Sequence, residues 1–284
     1  MKRDRRSRLA AALVLATGLA VVGPSFAWPA DSGLTAAAAS LKPAIGDCPE
    51  QAEGAVDMLP DLRMAPLYGL VVRTTAAGRK RLRFGTISWN VGDGALEVRG
   101  DGRTKNVMGR VAQRIYDDQG GCRDIVNPDA TMFYAGDGHN HWHVDQYMET
   151  QLYRKSGGPV LRVRKVGFCL LDLHRRQVAL PNQPDSRVYW NGACGSSTSQ
   201  KIAMGISVGY ADDYQPMIAQ QWIDVTGLPK DVYRLCSAVN ANGWWLERND
   251  NKANNYFYYD LKLNAAKNAF TIVAKGRSPC LKSK

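Results

Sequence analysis

Arg81-Leu82-Arg83-Phe84-Gly85-Thr86-Ile87-Ser88-Trp89, closed by Asn90-Val91-Gly92-Asp93-Gly94, is the stretch that decides the fold class. A short run rich in β-branched and aromatic residues, cut off by a Gly/Asn/Asp cluster, marks a strand and its turn. The texture recurs from Leu59 onward, in Gln146 to Tyr153, Val160 to Leu171, Val232 to Asn240 and Tyr256 to Leu263. Few stretches keep helical periodicity over three turns, and no long internal repeat is visible. The expected fold is mainly β: an antiparallel β-sandwich core with long loops and few short helices.

The 284 residues are 45% hydrophobic and 22% charged, which excludes wholesale disorder, a collagen-like repeat and a coiled coil. The formal charge of +11 is unevenly spread. Lys2, Arg3, Arg5, Arg6 and Arg8, less Asp4, precede an apolar run from Leu9 to Val22 that ends at Gly23-Pro24. Ser25-Phe26-Ala27 then offers small residues where a signal peptidase reads. Residues 1–27 are therefore expected to be a secretory signal peptide. Asp4 to Leu9 faintly resembles a twin-arginine signal, but Arg8 stands where a large apolar residue belongs, so the general secretory route is expected. Residues 28–54 follow as an Ala/Ser/Pro-rich spacer, and 55–284 as the folded domain. No second apolar run of membrane length follows the signal.

Export changes the meaning of the six cysteines, Cys48, Cys122, Cys169, Cys194, Cys236 and Cys280. An even count at wide spacing, with no CxxC, points to disulfides rather than to a zinc ribbon. The spacing leaves their pairing open.

Three of the four histidines fall in Gly138-His139-Asn140-His141-Trp142-His143. In a strand alternate residues share a face, so His139, His141 and His143 point one way while Trp142, Val144 and Met148 point to the core. Imidazole is the commonest transition-metal side-chain ligand, and three such ligands leave positions open for chemistry. A straight strand would hold the outer pair about 13 Å apart, so the backbone is expected to bend there. The ligand set does not separate copper from zinc, although the affinity order favours copper. His174 is either a fourth ligand or a surface residue, and the surface is preferred.

Read as a strand, Leu161 to Leu170 places Lys165 with Leu161, Val163, Gly167 and Cys169, away from Arg162 and Arg164. A lysine among apolar residues needs a partner or a covalent task, and burial lowers its pKa and frees the amine as a nucleophile. A lysine snorkelling at a strand end fits the pattern equally well.

Taken together, these blocks resemble the lysyl oxidase family of copper amine oxidases, from about Leu59 to Leu263. The resemblance rests on Leu59-Pro60-Asp61-Leu62, on Leu82-Arg83-Phe84 through Glu97, and on His139-Asn140-His141-Trp142-His143. It continues through Lys165-Val166-Gly167-Phe168-Cys169-Leu170-Leu171-Asp172, Gly205-Ile206-Ser207 through Tyr214, Gln221 through Thr226, and Glu247 to Asn255. The order of the blocks, more than any one of them, is specific. It implies that His139, His141 and His143 bind Cu(II), and that Lys165 joins the oxidised ring of Tyr214 to give lysine tyrosylquinone. Tyr210 is the alternative tyrosine, and Asp212 is placed to act as base. The implied activity is oxidative deamination of primary amines, peptidyl lysine among them, to aldehydes with O2 as oxidant, releasing hydrogen peroxide and ammonia.

The resemblance also implies a structural Ca2+ site built from Asp61, the carbonyl of Leu62, Glu247, Asn254 and Asn255. The segment Glu247 to Asn255 is about two residues longer than the family pattern, so Asp250 and Asn251 compete for one ligand position. Two rivals remain at this level: a non-catalytic secreted copper-binding β-sandwich, and a zinc hydrolase built on the three histidines. Neither needs Lys165 with Tyr214. No basic block with interleaved aromatics suggests nucleic acid, and the positive charge suits contact with anionic cell-envelope polymers.

Overall fold

The computed structural model describes residues 48–136, 139–190, 192–248 and 252–281. The expected signal peptide, most of the expected spacer, Asp250 and Asn251 lie outside the described residues. The chain is mainly β, with several antiparallel sheets and no closed barrel. Helical structure among the described residues is confined to two 3-10 turns, Lys252–Asn255 and Ala265–Lys267.

The run that opens the sequence reading forms the long strand Lys80–Asn90, which organises the sheets around the site. Its first half pairs with Tyr68–Thr74 and Trp222–Asp224, and its second half with Leu62–Met64 and Tyr210–Tyr214. Alternation explains why it sits centrally. Leu82, Phe84, Thr86, Ser88 and Asn90 are buried, whereas Arg81, Arg83, Ile87 and Trp89 keep partial exposure on the other face. The inner face changes from apolar to polar along the strand. Leu82 and Phe84 feed the core, each worth about 1.5–3 kcal/mol on burial, while Thr86 and Ser88 lie opposite Tyr214 and Asp212.

Other expected strands appear within a few residues, as Met148–Arg154, Asp231–Val239 and Tyr256–Asn264. One differs. The expected run Val160 to Leu171 breaks into Val160–Arg162 and Gly167–Phe168. The first piece pairs with Met148–Arg154, and the second crosses to pair with His141–Asp145 in another sheet, so no single ladder can hold both. The alternation survives the break: Val163, Lys165 and Gly167 are buried, and Arg164 and Val166 exposed.

The cysteines pair as Cys48–Cys122, Cys169–Cys194 and Cys236–Cys280, and none is free. The first fastens the end of the Ala/Ser/Pro-rich stretch to the strand Cys122–Val126, where the Cys122 N–H also donates to the Pro49 carbonyl at 2.9 Å. Among the described residues no helix is long and apolar enough to cross a membrane.

Candidate active site

The three-stranded sheet of Met132–Ala135, His141–Asp145 and Gly167–Phe168 brings the histidines beside the Lys165 segment. His141 and His143 share a face of their strand. Trp142 and Val144 point the other way and are fully buried, and Met148 also enters the core. His139 corrects the sequence reading, because it stands in the turn before the strand rather than on it. Asn140 between them adopts φ 53°, the left-handed region that asparagine tolerates, and its N–H donates to the Ala135 carbonyl at 3.0 Å. That reversal supplies the required bend. The nitrogens of all three imidazoles lie within 4.8 Å of one another, and His141 Nε2 and His143 Nε2 are 2.9 Å apart. Two nitrogens each about 2.0 Å from one ion, at a right angle, are about 2.9 Å apart, so the pair fits adjacent positions on a tetragonal metal.

Gly167 backs directly onto this set. A Cβ there would meet Phe133 Cζ at 2.5 Å and His143 Nδ1 at 2.9 Å. Phe133 stands edge-on to the His143 ring at 5.8 Å. Lys165, only 5% exposed, lines a cavity of about 320 Å³ together with His139 and His143. Its Nζ lies 5.0 Å from the centre of the Tyr214 ring and 5.4 Å from that of Phe168. Phe168 itself stacks perpendicular to Tyr214 at 5.0 Å.

Tyr214 and Asp212 come from the strand Tyr210–Tyr214, on the face that packs inward. The Tyr214 hydroxyl donates to the Cys169 carbonyl at 2.7 Å. Burial pushes the phenol well above its ordinary value, and the Asp212 carboxylate pushes it further. Asp212 is also driven well up, first by burial, against the pull of Tyr214, the Asp213 N–H and Lys165. Its Oδ1 accepts from the Asp213 N–H at 3.1 Å, while its buried Oδ2 has no hydrogen-bond partner among the described residues.

One disulfide couples the two halves. The Cys194 carbonyl accepts the Trp142 N–H at 2.8 Å, between two of the histidines, and the Cys169 carbonyl holds Tyr214. The Cys169–Cys194 bond therefore joins the strand that carries His141 and His143 to the phenol. Asp172 anchors the same segment, accepting from the Ser207 N–H and hydroxyl and from the Val188 and Tyr189 N–H groups at 2.8–3.1 Å.

The oxygen-rich set implied as a calcium site is assembled too. Asn254 Nδ2 donates to Asp61 Oδ1 at 2.7 Å, Asn255 Nδ2 to Glu247 Oε1 at 2.8 Å, and the Leu62 N–H to Glu247 Oε2 at 2.6 Å. Asn254 Oδ1 is buried without a hydrogen-bond partner among the described residues. Burial raises the Glu247 carboxyl above its ordinary value, and neighbouring Asp61 adds to this. Two half-buried carboxyls beside an orphaned amide oxygen suit a hard cation. Asp250 and Asn251 fall outside the described residues.

Two candidates stand apart. His174 is exposed and pairs with Asp213 Oδ2 at 2.9 Å, away from the triad, and the Tyr210 hydroxyl donates to the Pro184 carbonyl at 3.3 Å. Three contributors escaped the sequence reading. They are Gly167 behind His143, Tyr147 bonded to Ser88 at 2.9 Å near Asp212, and Arg83, whose Nη1 donates to the Pro216 carbonyl at 2.9 Å and so holds the loop after Tyr214. The glycine within the lysine block was the one available signal.

The site is an antiparallel β domain carrying a convergent imidazole triad, which could hold a metal ion, beside an amine–phenol pair. The chain matches the lysyl oxidase family over residues 104–271, more than half its length, and belongs to it. Lysyl oxidases are copper-dependent and act on amines. No curated protein matches the chain.

Proposed function

We propose that the protein is an exported copper-dependent oxidase that deaminates primary amines to aldehydes with O2, releasing hydrogen peroxide and ammonia. One observation carries this reading. Lys165 Nζ faces the Tyr214 ring at 5.0 Å while the same lysine lines one cavity with His139 and His143. A protein that only stores copper has no use for that juxtaposition.

His139, His141 and His143 hold the copper, and Lys165 and Tyr214 are the precursors of lysine tyrosylquinone. When formed, that group supplies a carbonyl that condenses with a primary amine and makes the adjacent C–H acidic, with O2 as the final oxidant. The chain does the rest. The Cys169 carbonyl and the Phe168 ring fix Tyr214 edge-on beside Lys165. Asp212 takes the substrate carbon's proton at Oδ2, and its burial makes the carboxylate a stronger base once ionised, a contribution of about 10²–10⁴ in rate. Trp142 and Val144 anchor the strand that carries two of the ligands. Ca2+ at Asp61, Leu62, Glu247, Asn254 and Asn255 has a structural role, clamping the start of the fold to the Glu247 loop. The catalytic domain spans 55–284, behind a cleaved signal and a spacer, and three disulfides suit an oxidising compartment.

The test is peroxide release by copper-loaded protein against a panel of primary amines, with Lys165→Ala as control. Amine-dependent peroxide that vanishes in the variant supports the assignment. Full copper occupancy with no turnover of any amine contradicts it.

A further inference from the structure

The outer face of the sheet formed by Tyr68–Thr74, Lys80–Asn90 and Trp222–Asp224 is unusually basic. Arg73 lies opposite Arg81 across one strand pair, and Arg83 opposite Trp222 across the other. The Arg81 guanidinium sits 3.9 Å from the centre of the Trp222 ring, and that of Arg164 approaches the same ring at 5.9 Å. Those two cations therefore lie within about 10 Å of each other, on an indole platform that favours them. Arg81 Nε is buried under the stack and has no hydrogen-bond partner among the described residues, so the outer end of the guanidinium is the part an anion can reach. Arg83 is pushed below its ordinary value by burial and then by its neighbours Arg81 and Arg73, the mark of cations crowded without enough counter-charge.

Asp224 lies opposite Arg81 across the strand pair and already supplies one carboxylate to this face. Asp224 is gripped by Arg79 through two N–H donors, Nε at 3.0 Å and Nη2. Both donors converge on the single oxygen Oδ2, a charge-assisted arginine–carboxylate contact. The face also adjoins the cavity. Arg164 immediately precedes Lys165, and Arg83 holds the carbonyls of Pro216 and Ile218, in the loop whose Ala219 and Gln220 line the cavity wall.

We propose that this arginine face docks an acidic polypeptide segment, whose carboxylates engage Arg73, Arg81 and Arg164 while a lysine on the same segment enters the cavity. The inference rests on the proposed activity only for the fate of that lysine; the docking stands independently. It also answers how a basic protein takes a cationic substrate, since flanking carboxylates cancel the repulsion that a bare polyamine would meet.

Binding of a fluorescent lysine peptide flanked by glutamates is compared, by anisotropy, with its glutamine counterpart and with polyphosphate. Three surface pairs, each worth a factor of about two to four, give the acidic peptide about a 10- to 60-fold advantage at low salt. The advantage falls to within twofold at about 0.5 M salt, where charges are screened beyond a few ångströms. Arg73→Gln/Arg164→Gln, both exposed positions, abolishes the preference, and Arg81→Gln weakens it separately. Equal binding of the two peptides, an unchanged preference in both variants, or tight polyphosphate binding without acidic-peptide binding overturns the proposal. A parallel peroxide assay with a small monoamine separates the two claims. Arginine-dependent docking without turnover sinks the oxidase alone, and turnover without docking sinks the arginine face alone.

Discussion

Gly167→Ala is a one-methyl perturbation of the proposed metal centre. The added Cβ stands 2.5 Å from Phe133 Cζ, 2.9 Å from His143 Nδ1 and 3.0 Å from His143 Cβ. Non-bonded carbons prefer about 3.5–4.0 Å, so Phe133 has to retreat by about 1 Å and the His143 ring by about half that. The half-buried Phe133 lines the cavity and can yield, but His143 is 4% exposed and Gly167 is paired opposite Asp145, so the strain falls on the His143 ring. Overpacking of this kind costs about 1–3 kcal/mol, and misdirecting a ligand through the group behind it weakens metal binding about 10- to 100-fold. Copper affinity measured by competition with a chromophoric chelator, alongside the melting temperature of the metal-free protein, reads both effects. Wild-type affinity in a correctly folded Gly167→Ala protein would refute the assignment of His143 as a ligand held in place by this glycine.

Removing the bridge as Cys169→Ala/Cys194→Ala opens a loop of 25 residues and costs about 3 kcal/mol by chain entropy, which calorimetry reads as a fall of roughly 6–12 °C; an unchanged melting temperature would show that the bridge constrains nothing. Burial raises the Asp212 carboxyl, so folded protein keeps that proton where unfolded chain has lost it, and stability is shed as pH rises from the ordinary value of 3.8. Urea unfolding of metal-free Asp212→Asn therefore gains on wild type progressively as pH rises above about 4, and parallel pH profiles count against a buried, raised carboxyl. For the oxygen-rich cluster, saturating calcium at about 100 times its Kd stabilises wild type by about 2.7 kcal/mol. Glu247→Gln loses most of that gain, and a full calcium response in the variant removes Glu247 from the ligand set.

The fold class was legible because strands leave a local signature. Arg81 to Trp89 alternates buried with half-exposed side chains much as its composition suggests. The break between Arg162 and Gly167 was not legible, since it follows from two partner strands in different sheets, a long-range fact that no local run encodes. The histidine cluster was visible in the spacing of His139, His141 and His143, but its convergence depends on Asn140 turning left-handed, a conformation the sequence permits without requiring. Lys165 was ambiguous between partnered burial and snorkelling. Only packing brought it over the Tyr214 ring, and the link between Cys169, Cys194 and Trp142 lay beyond any motif.

The most direct measurement is peptide mass spectrometry of the protein after copper loading in air, with quinone staining of the same digest. The account predicts one cross-linked species joining the peptide that contains Lys165 to the peptide that contains Tyr214, coincident with the stain and missing in Lys165→Ala. Recovery of both peptides unmodified and unstained from fully copper-loaded protein contradicts it.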